Sequence, residues 1–428
     1  MENSDAHKPS NLSDIFKGNS DKVIKLNSPL YMPNNEHFEH LAKIAAYIKK
    51  SNESDNIKNQ IQKLSTTTLM TIYNKKAGLA GLKNLGNTCY LNAVIQCLRH
   101  TMILNNYLFG PKLQAVLMRN QETQSTDNIK IALLINYMTI NSSLWDNNNA
   151  VLTPLIFKSM FGHIFDQFKG NNQHDAHECL VTILDVFHQV LSRTVKYNIT
   201  GEVINELDKH VKKAHEDWAN HYKKRHSAIL DIFSGQLQSK IVCPNCQIIS
   251  YKYDPFMALD LPLLNPIPPP SPISYTIYEC LNNYVEPEQL TLTNLYNCEN
   301  CKNKSQAFRM HSIWTLPNVL IIKLSRFNYN FSDGNYHMNK IDDFIHYPII
   351  DLDISKYISS PLNDKTKYDL FSIICHRGSA NHGHYYSYCL NSLKNKWYEF
   401  NDESVTEITN IENLITQNAY ILFYQKKS

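Results

Sequence analysis

The chain has 428 residues, enough for one large domain or a few smaller ones, each with an ample core. Its hydrophobic fraction of 43% and charged fraction of 19% are those of a globular protein. Lys+Arg 42 against Asp+Glu 39 leaves a formal charge of only +3 with no long block of one sign, which argues against nucleic acid or an acidic membrane as partner.

The chain opens Met1-Glu-Asn-Ser-Asp5, polar and acidic, with no apolar segment behind it. No run of roughly 18 apolar residues occurs, so neither a signal peptide nor a transmembrane helix is expected. The expected location is the cytoplasm, the nucleus or both. Residues 1–35 are rich in Asn, Ser, Asp and Lys, carry Pro9, Pro29 and Pro33, and read as mostly disordered. Phe38, Leu41, Ile44 and Ile48 are helix-spaced, and Ile57, Ile61 and Leu64 continue the pattern. Residues 36–75 therefore read as one or two amphipathic helices leading into the main domain. The extension 1–79 is the expected place for a partner to dock.

Next comes Gly81-Leu-Lys-Asn84-Leu-Gly86-Asn-Thr-Cys89-Tyr-Leu-Asn92. Leu91, Val94, Ile95 and Leu98 follow at i, i+3, i+4 and i+7, which sets Cys89 at a helix N-terminus. Unpaired N–H groups and the helix dipole there favour a thiolate, the reactive form of cysteine. Residues 81–235 read mainly helical, with helices expected over 89–100, 130–140, 153–162, 173–193 and 203–228. In the last, Ile204, Leu207, Val211 and Trp218 are expected to hold one apolar face. Asn172-Gln173-His-Asp175-Ala-His-Glu178 stands at a helix start, as a capping element or as a polar wall of a cleft.

From 236 the pattern changes to strands. Leu237–Val242, Ser250–Tyr253, Val319–Leu324, Tyr368–Ile374 and Asn418–Tyr424 are β-rich and bounded by turn residues. Pro266–Pro272 reads as an extended loop. Cys243-Pro-Asn-Cys246 and Cys298-Glu-Asn-Cys301 are two C-x-x-C knuckles. Four soft sulfur ligands make a closed tetrahedral site for one structural zinc ion. The long insert between the knuckles must then be a β excursion with its own strands. Their neighbours lack the basic–aromatic stripe of a nucleic-acid module.

A cysteine nucleophile needs a base and a group that orients the base. Cys375-His376-Arg-Gly378-Ser-Ala-Asn-His382-Gly383-His384-Tyr385 offers three histidines in a loop running into a strand. His384, where loop meets strand, is the best held. Lys396-Trp-Tyr-Glu-Phe-Asn401-Asp402 follows. Asn401 could accept from an imidazole N–H across the hairpin, with Asp402 as the alternative.

Taken together, these stretches resemble the ubiquitin-specific proteases, the papain-like deubiquitinases. Gly81–Asn92 resembles the family's Cys box and Gln173–Glu178 its Gln-Asp box. Leu316–Phe327 resembles the strand entering its palm, and His376–Tyr385 with Trp397–Asp402 its His box. The likeness covers about 80–428, in family order. It implies an α+β fold with a helical thumb (about 80–235), and a β palm and zinc-bearing fingers (about 236–428). It implies Cys89 as nucleophile, His384 as general base, Asn401 in the third position with Asp402 assisting, and Asn84 as oxyanion donor. Gln173 and Asp175, with Tyr385, match residues that contact the ubiquitin tail. The implied activity is hydrolysis of the (iso)peptide bond at ubiquitin's C-terminal glycine, acting on ubiquitinated proteins. The alternative is a weak or inactive ubiquitin-binding adaptor on the same scaffold. Departures from the family pattern are Leu91 for Met, Cys179 for an aromatic or Leu, and Ser325 for Lys.

Overall fold

The structure, a computed structural model, describes residues 35–64, 78–124, 126–146, 150–223, 225–263, 274–291, 294–332, 335–363, 365–379 and 382–427. The expected disorder of 1–35 (Asn35 apart) and the proline loop 266–272 lie outside them. The chain divides into two compact units, residues 1–47 and 48–428. Helix Asn35–Ser51 supplies the described part of the first unit. Everything below concerns the second unit. Among the described residues no helix is long and apolar enough to cross a membrane.

The second unit follows the helix-then-strand order of its sequence. Helix Ser54–Lys63 buries Ile57 and Ile61, a pair at i and i+4. Helices Cys89–Arg99, Met102–Leu108, Leu113–Glu122, Asn128–Asp146, Leu155–Ile164, Ala176–Leu191, Glu206–Tyr222 and Ala228–Phe233 make the helical half. The Cys89–Arg99 helix is buried on every side, not on one stripe. Its polar residues are accommodated by pairing: Gln96 Nε2 donates to Ala80 O at 3.2 Å, and Arg99 Nε donates to Gln96 Oε1 at 2.6 Å. The Arg99 guanidinium lies between the rings of Trp145 and Phe400, 4.9 and 5.0 Å from their centroids.

The expected 203–228 helix is two helices, ending at Tyr222 and restarting at Ala228. Its apolar face also differs from expectation. Ile204 is 84% exposed and Leu207 42% exposed, whereas Ala214 and Tyr222 are buried. Asn205 explains the shift: it is the N-cap, in a capping box with Asp208, so Ile204 precedes the helix.

The strand half holds two larger sheets. In order across the palm sheet run Ser404–Ile408, Lys396–Asn401, Gly383–Asn391, Lys367–Gly378, Ala419–Lys426, Val319–Ser325 and Ala258–Pro262, with Leu352–Asp353 pairing Lys367–Gly378. Only the Val319–Ser325/Ala258–Pro262 pair in this path is parallel. The core strand Val319–Ser325 is buried along most of its length, as a central strand should be. The second sheet runs Ile249–Phe256, Gly235–Val242, Phe308–Thr315, Glu288–Gln289. The insert between the cysteine knuckles carries its own strands, as expected, and reaches into the palm. Ile249–Phe256 runs straight on into the palm strand Ala258–Pro262, and the chain returns through helix Ile277–Val285. That helix was not expected, although its capping box, Thr276 with Glu279, is written in the sequence.

One close approach joins the halves. The short strand Gly81–Leu82 pairs with Val151–Leu152 while Leu82 N donates to Asp402 O at 2.8 Å. A Cβ on Gly81 would stand 2.3 Å from the carbonyl oxygen of Glu403, so only glycine lets the approach to Cys89 tuck under the 401–404 turn.

Candidate active site

Cys89 is the first residue of its helix and is buried. The turn before it is built by two side chains. Asn84 Oδ1 accepts from Gly86 N at 3.0 Å and Thr88 N at 3.2 Å, and Thr88 Oγ1 accepts from Leu85 N at 2.9 Å. Gly86 at φ +99 and Asn87 at φ 53 turn the chain through left-handed conformations, where glycine and asparagine cost least. Asn87 Nδ2 ties the turn to Asn171 O at 2.8 Å.

The three candidate histidines separate cleanly. His376 is buried, and its imidazole is pushed down to about 4, chiefly by burial and then by Lys340. His382 is exposed and engages Ser379 through its backbone. His384 faces Cys89. The hydrogen bond to Cys89 is the main reason its imidazole rises to about 9; burial opposes, while Asn401 and Asp402 add to the rise. His384 Nε2 lies 2.7 Å from Asn401 Oδ1 and 3.9 Å from Asp402 Oδ2. Of the two candidates for the third position, Asn401 thus makes the hydrogen bond.

Asp402 has other partners. Asn84 Nδ2 donates to its Oδ2 at 2.8 Å, and Asn92 Nδ2 donates to its Oδ1 at 2.8 Å. Asp402 sits at φ 49, which turns its carboxylate from the hairpin end toward both amides. One of the two hydrogens of the Asn84 amide is committed to Asp402. Asn92 was missed from sequence. Its signal is a polar residue three positions after Cys89, hence on the same helix face.

The expected tail-channel residues are engaged as well. Gln173 pairs with the backbone of Gly383: its Nε2 donates to Gly383 O at 3.1 Å and its Oε1 accepts from Gly383 N at 3.2 Å. Asp175 is the N-cap of helix Ala176–Leu191, accepting from His177 N and Glu178 N, and its Oδ2 accepts from Tyr420 OH at 2.6 Å. Tyr385 is buried, its ring against His376 and Tyr420.

Away from this centre, the sulfurs of Cys243, Cys246, Cys298 and Cys301 lie within 4.8 Å of one another. The Cys243–Cys301 and Cys246–Cys298 Sγ separations are 3.8 and 3.6 Å. The two knuckles are alike. Gln247 and Lys302, each just after the second cysteine, have φ of 57 and 59, and their N–H groups donate back to Cys243 O and Cys298 O. The backbone N–H of Cys246 is the chief cause that draws the Cys243 thiol down to about 6. These four cysteines can hold a metal ion.

A family model described as ubiquitin carboxyl-terminal hydrolase matches residues 80–424. The chain is 31% identical over 433 residues to a probable ubiquitin carboxyl-terminal hydrolase of Acanthamoeba polyphaga mimivirus, covering 81% of this chain and 90% of that one. It is also 31% identical to human ubiquitin carboxyl-terminal hydrolase 2, covering 82% of this chain but only 56% of the human protein. Among solved structures it is similar to the SAGA Ubp8/Sgf11/Sus1/Sgf73 DUB module bound to ubiquitin aldehyde, with a TM-score of 0.57 at 26% identity, covering 83% of this chain and 70% of that one. A monoubiquitin-bound form of that module matches with a TM-score of 0.58 at 25% identity, covering 82% and 70%. The helical half carrying Cys89, the sheet carrying His384 and this span of likeness agree: the chain belongs to the ubiquitin carboxyl-terminal hydrolase family, of the ubiquitin-specific-protease type.

Proposed function

We propose that this chain is a thiol deubiquitinase that cleaves the (iso)peptide bond after ubiquitin's C-terminal glycine. The observation that carries the reading is the continuous chain from Cys89 to His384 to Asn401. The Cys89 thiolate attacks the isopeptide carbonyl carbon, and the second hydrogen of the Asn84 amide meets the oxyanion that forms. His384, held as imidazolium beside the sulfur, gives its proton to the leaving lysine nitrogen. Water then attacks the thioester with His384 as base, and ubiquitin leaves with a free carboxylate. Gln173 and Asp175 shape the wall through which the tail would pass, and Tyr385 backs that wall. The division into an extension 1–79 and a catalytic region 80–428 is part of the proposal, supported by the family match beginning at residue 80. None of the ten cysteines is paired in a disulfide, which suits a reducing compartment such as cytoplasm or nucleus.

The test is reaction with ubiquitin bearing a C-terminal electrophile. The protein is expected to gain the mass of one ubiquitin, attached at Cys89. A protein that stays unmodified, or that is labelled elsewhere, would overturn the mechanism. No observation favours the inactive adaptor.

The four cysteines are proposed to hold one structural zinc ion. Zinc–sulfur bonds of about 2.3 Å in a tetrahedron require sulfurs about 3.8 Å apart, and the two measured pairs fit. With four thiolates and no open position, the metal would brace the fingers and take no part in the reaction. Metal analysis should find about one zinc per chain. Cys298→Ser should remove most of it and lower Tm by roughly 5–10 °C. Full zinc content in that variant would count against the four-cysteine site.

A further inference from the structure

The third position of the catalytic chain is an amide, and an amide has two faces. Turned one way, Asn401 offers its oxygen to His384; turned the other, its NH2. Only the first is productive. With oxygen facing it, His384 Nε2 carries a hydrogen, and Nδ1 is the nitrogen left to exchange a proton with Cys89. With NH2 facing it, Nε2 must accept, the proton moves to Nδ1, and the imidazolium meets a donor. A wrongly set tautomer costs a catalytic triad about 10^4 in kcat. An aspartate in the third position would not face this ambiguity, because both its oxygens accept. Something else must set the amide here.

That group is Glu399. On strand Lys396–Asn401, residues 399 and 401 are two apart and share a face. Asn401 Nδ2 donates to Glu399 Oε1 at 3.4 Å, while Asn401 Oδ1 lies 2.7 Å from His384 Nε2. A carboxylate only accepts, so the amide nitrogen must turn to Glu399 and the oxygen to His384. Across the strand pair, Tyr388 is opposite Glu399, which helps to raise its hydroxyl. Burial pushes the Tyr388 hydroxyl up to about 12, so it stays a donor at working pH. Glu399 is itself half-buried, and among the described residues no lysine or arginine forms an ion pair with it. Its carboxylate accepts from Asn401.

We propose that Glu399 is a positioning residue of the catalytic centre: its carboxylate fixes the Asn401 amide with oxygen toward His384, and so fixes the imidazole tautomer that serves Cys89. Nothing in the Cys, Gln-Asp or His boxes assigns it this role. The proposal rests on the acyl-transfer reading above and adds the group that compensates for a neutral third residue.

The test is a cycle of variants, read as hydrolysis of ubiquitin carrying a C-terminal fluorogenic amide. Glu399→Ala is expected to lower kcat about tenfold with KM changed less than twofold, a loss confined to the transition state. It should also move the alkaline limb of the pH profile to lower pH. The groups facing His384 that enter this limb are Cys89, Asn401, Asp402 and, from the neighbouring strand, His376. Glu399→Gln keeps an acceptor oxygen and should recover most of the rate. The decisive arm is the Asn401→Asp background, where no amide needs orienting; there Glu399→Ala should cost less than about twofold. Equal losses in both backgrounds, including those of a variant that folds poorly, would overturn the proposal, as would an unchanged kcat in Glu399→Ala. A wild-type chain inert toward the C-terminal electrophile would instead overturn the reading on which it rests.

Discussion

Cys89→Ala is expected to lower kcat/KM for ubiquitin conjugates by on the order of 10^6, and His384→Ala by a similar factor. The double variant should be no worse than either alone. The reason lies in the geometry. His384 owes its rise to about 9 first to its hydrogen bond with Cys89. In the proposed mechanism, without the sulfur the imidazole would have nothing to serve, and without the imidazole nothing would protonate the leaving amine. Two groups that act as one unit give non-additive losses. KM should change little, because ubiquitin would be gripped by surfaces remote from the sulfur. The raised His384 value also sets the direction of the pH dependence. The imidazolium persists below about pH 9 and is lost above it, so kcat/KM should fall on the alkaline side near that value. Independent, multiplying losses in the double variant would show that the two residues do not share one step. Assay by burst-phase kinetics separates acylation from thioester hydrolysis.

Much of this centre was legible in the sequence because it is local. A period of 3.6 residues put Cys89 at a helix start, and the helix begins at that residue. Two knuckles with the same spacing announced a metal site. Strand ends that carry His384 and Asn401 could be read from the hairpin between them. What escaped was set by distance in space. Asn92 is one more helix residue until Asp402, 310 positions away, arrives beside it. Ile204 and Leu207 carry a helical apolar spacing, yet Asn205 starts the helix one residue later, and the face that packs is the one with Val211, Ala214 and Tyr222. The capping box at Thr276 was readable and was hidden by the strand-rich setting around it. Periodicity reports which face is apolar; it does not report what the rest of the chain brings to that face.

Asp402→Ala should lower kcat by about 10^2–10^3 with KM nearly unchanged, the size of losing one oxyanion donor. Asp402 stands next to Asn401 in sequence, which suggests a second carboxylate-like partner for His384. Its charge, 3.9 Å from His384, adds to the rise of that imidazole, but its hydrogen bonds, at 2.8 Å each, go to Asn84 and Asn92. Its carboxylate is nearly buried, and its two oxygens are each taken by an amide N–H. In the proposed mechanism it would act on the oxyanion through Asn84. Asn84 Oδ1 is fixed by Gly86 N and Thr88 N, and Asn84 Nδ2 by Asp402, so the remaining hydrogen has one direction left. Preorganisation of this kind is what makes a single donor worth several kcal/mol in a dry site. Asp402→Asn should still lose about tenfold, because one of its two oxygens becomes an NH2 that meets another NH2. Asn84→Ala should match Asp402→Ala, and combining them should add little. A full further loss in the double variant would return Asp402 to direct action on His384, through its charge.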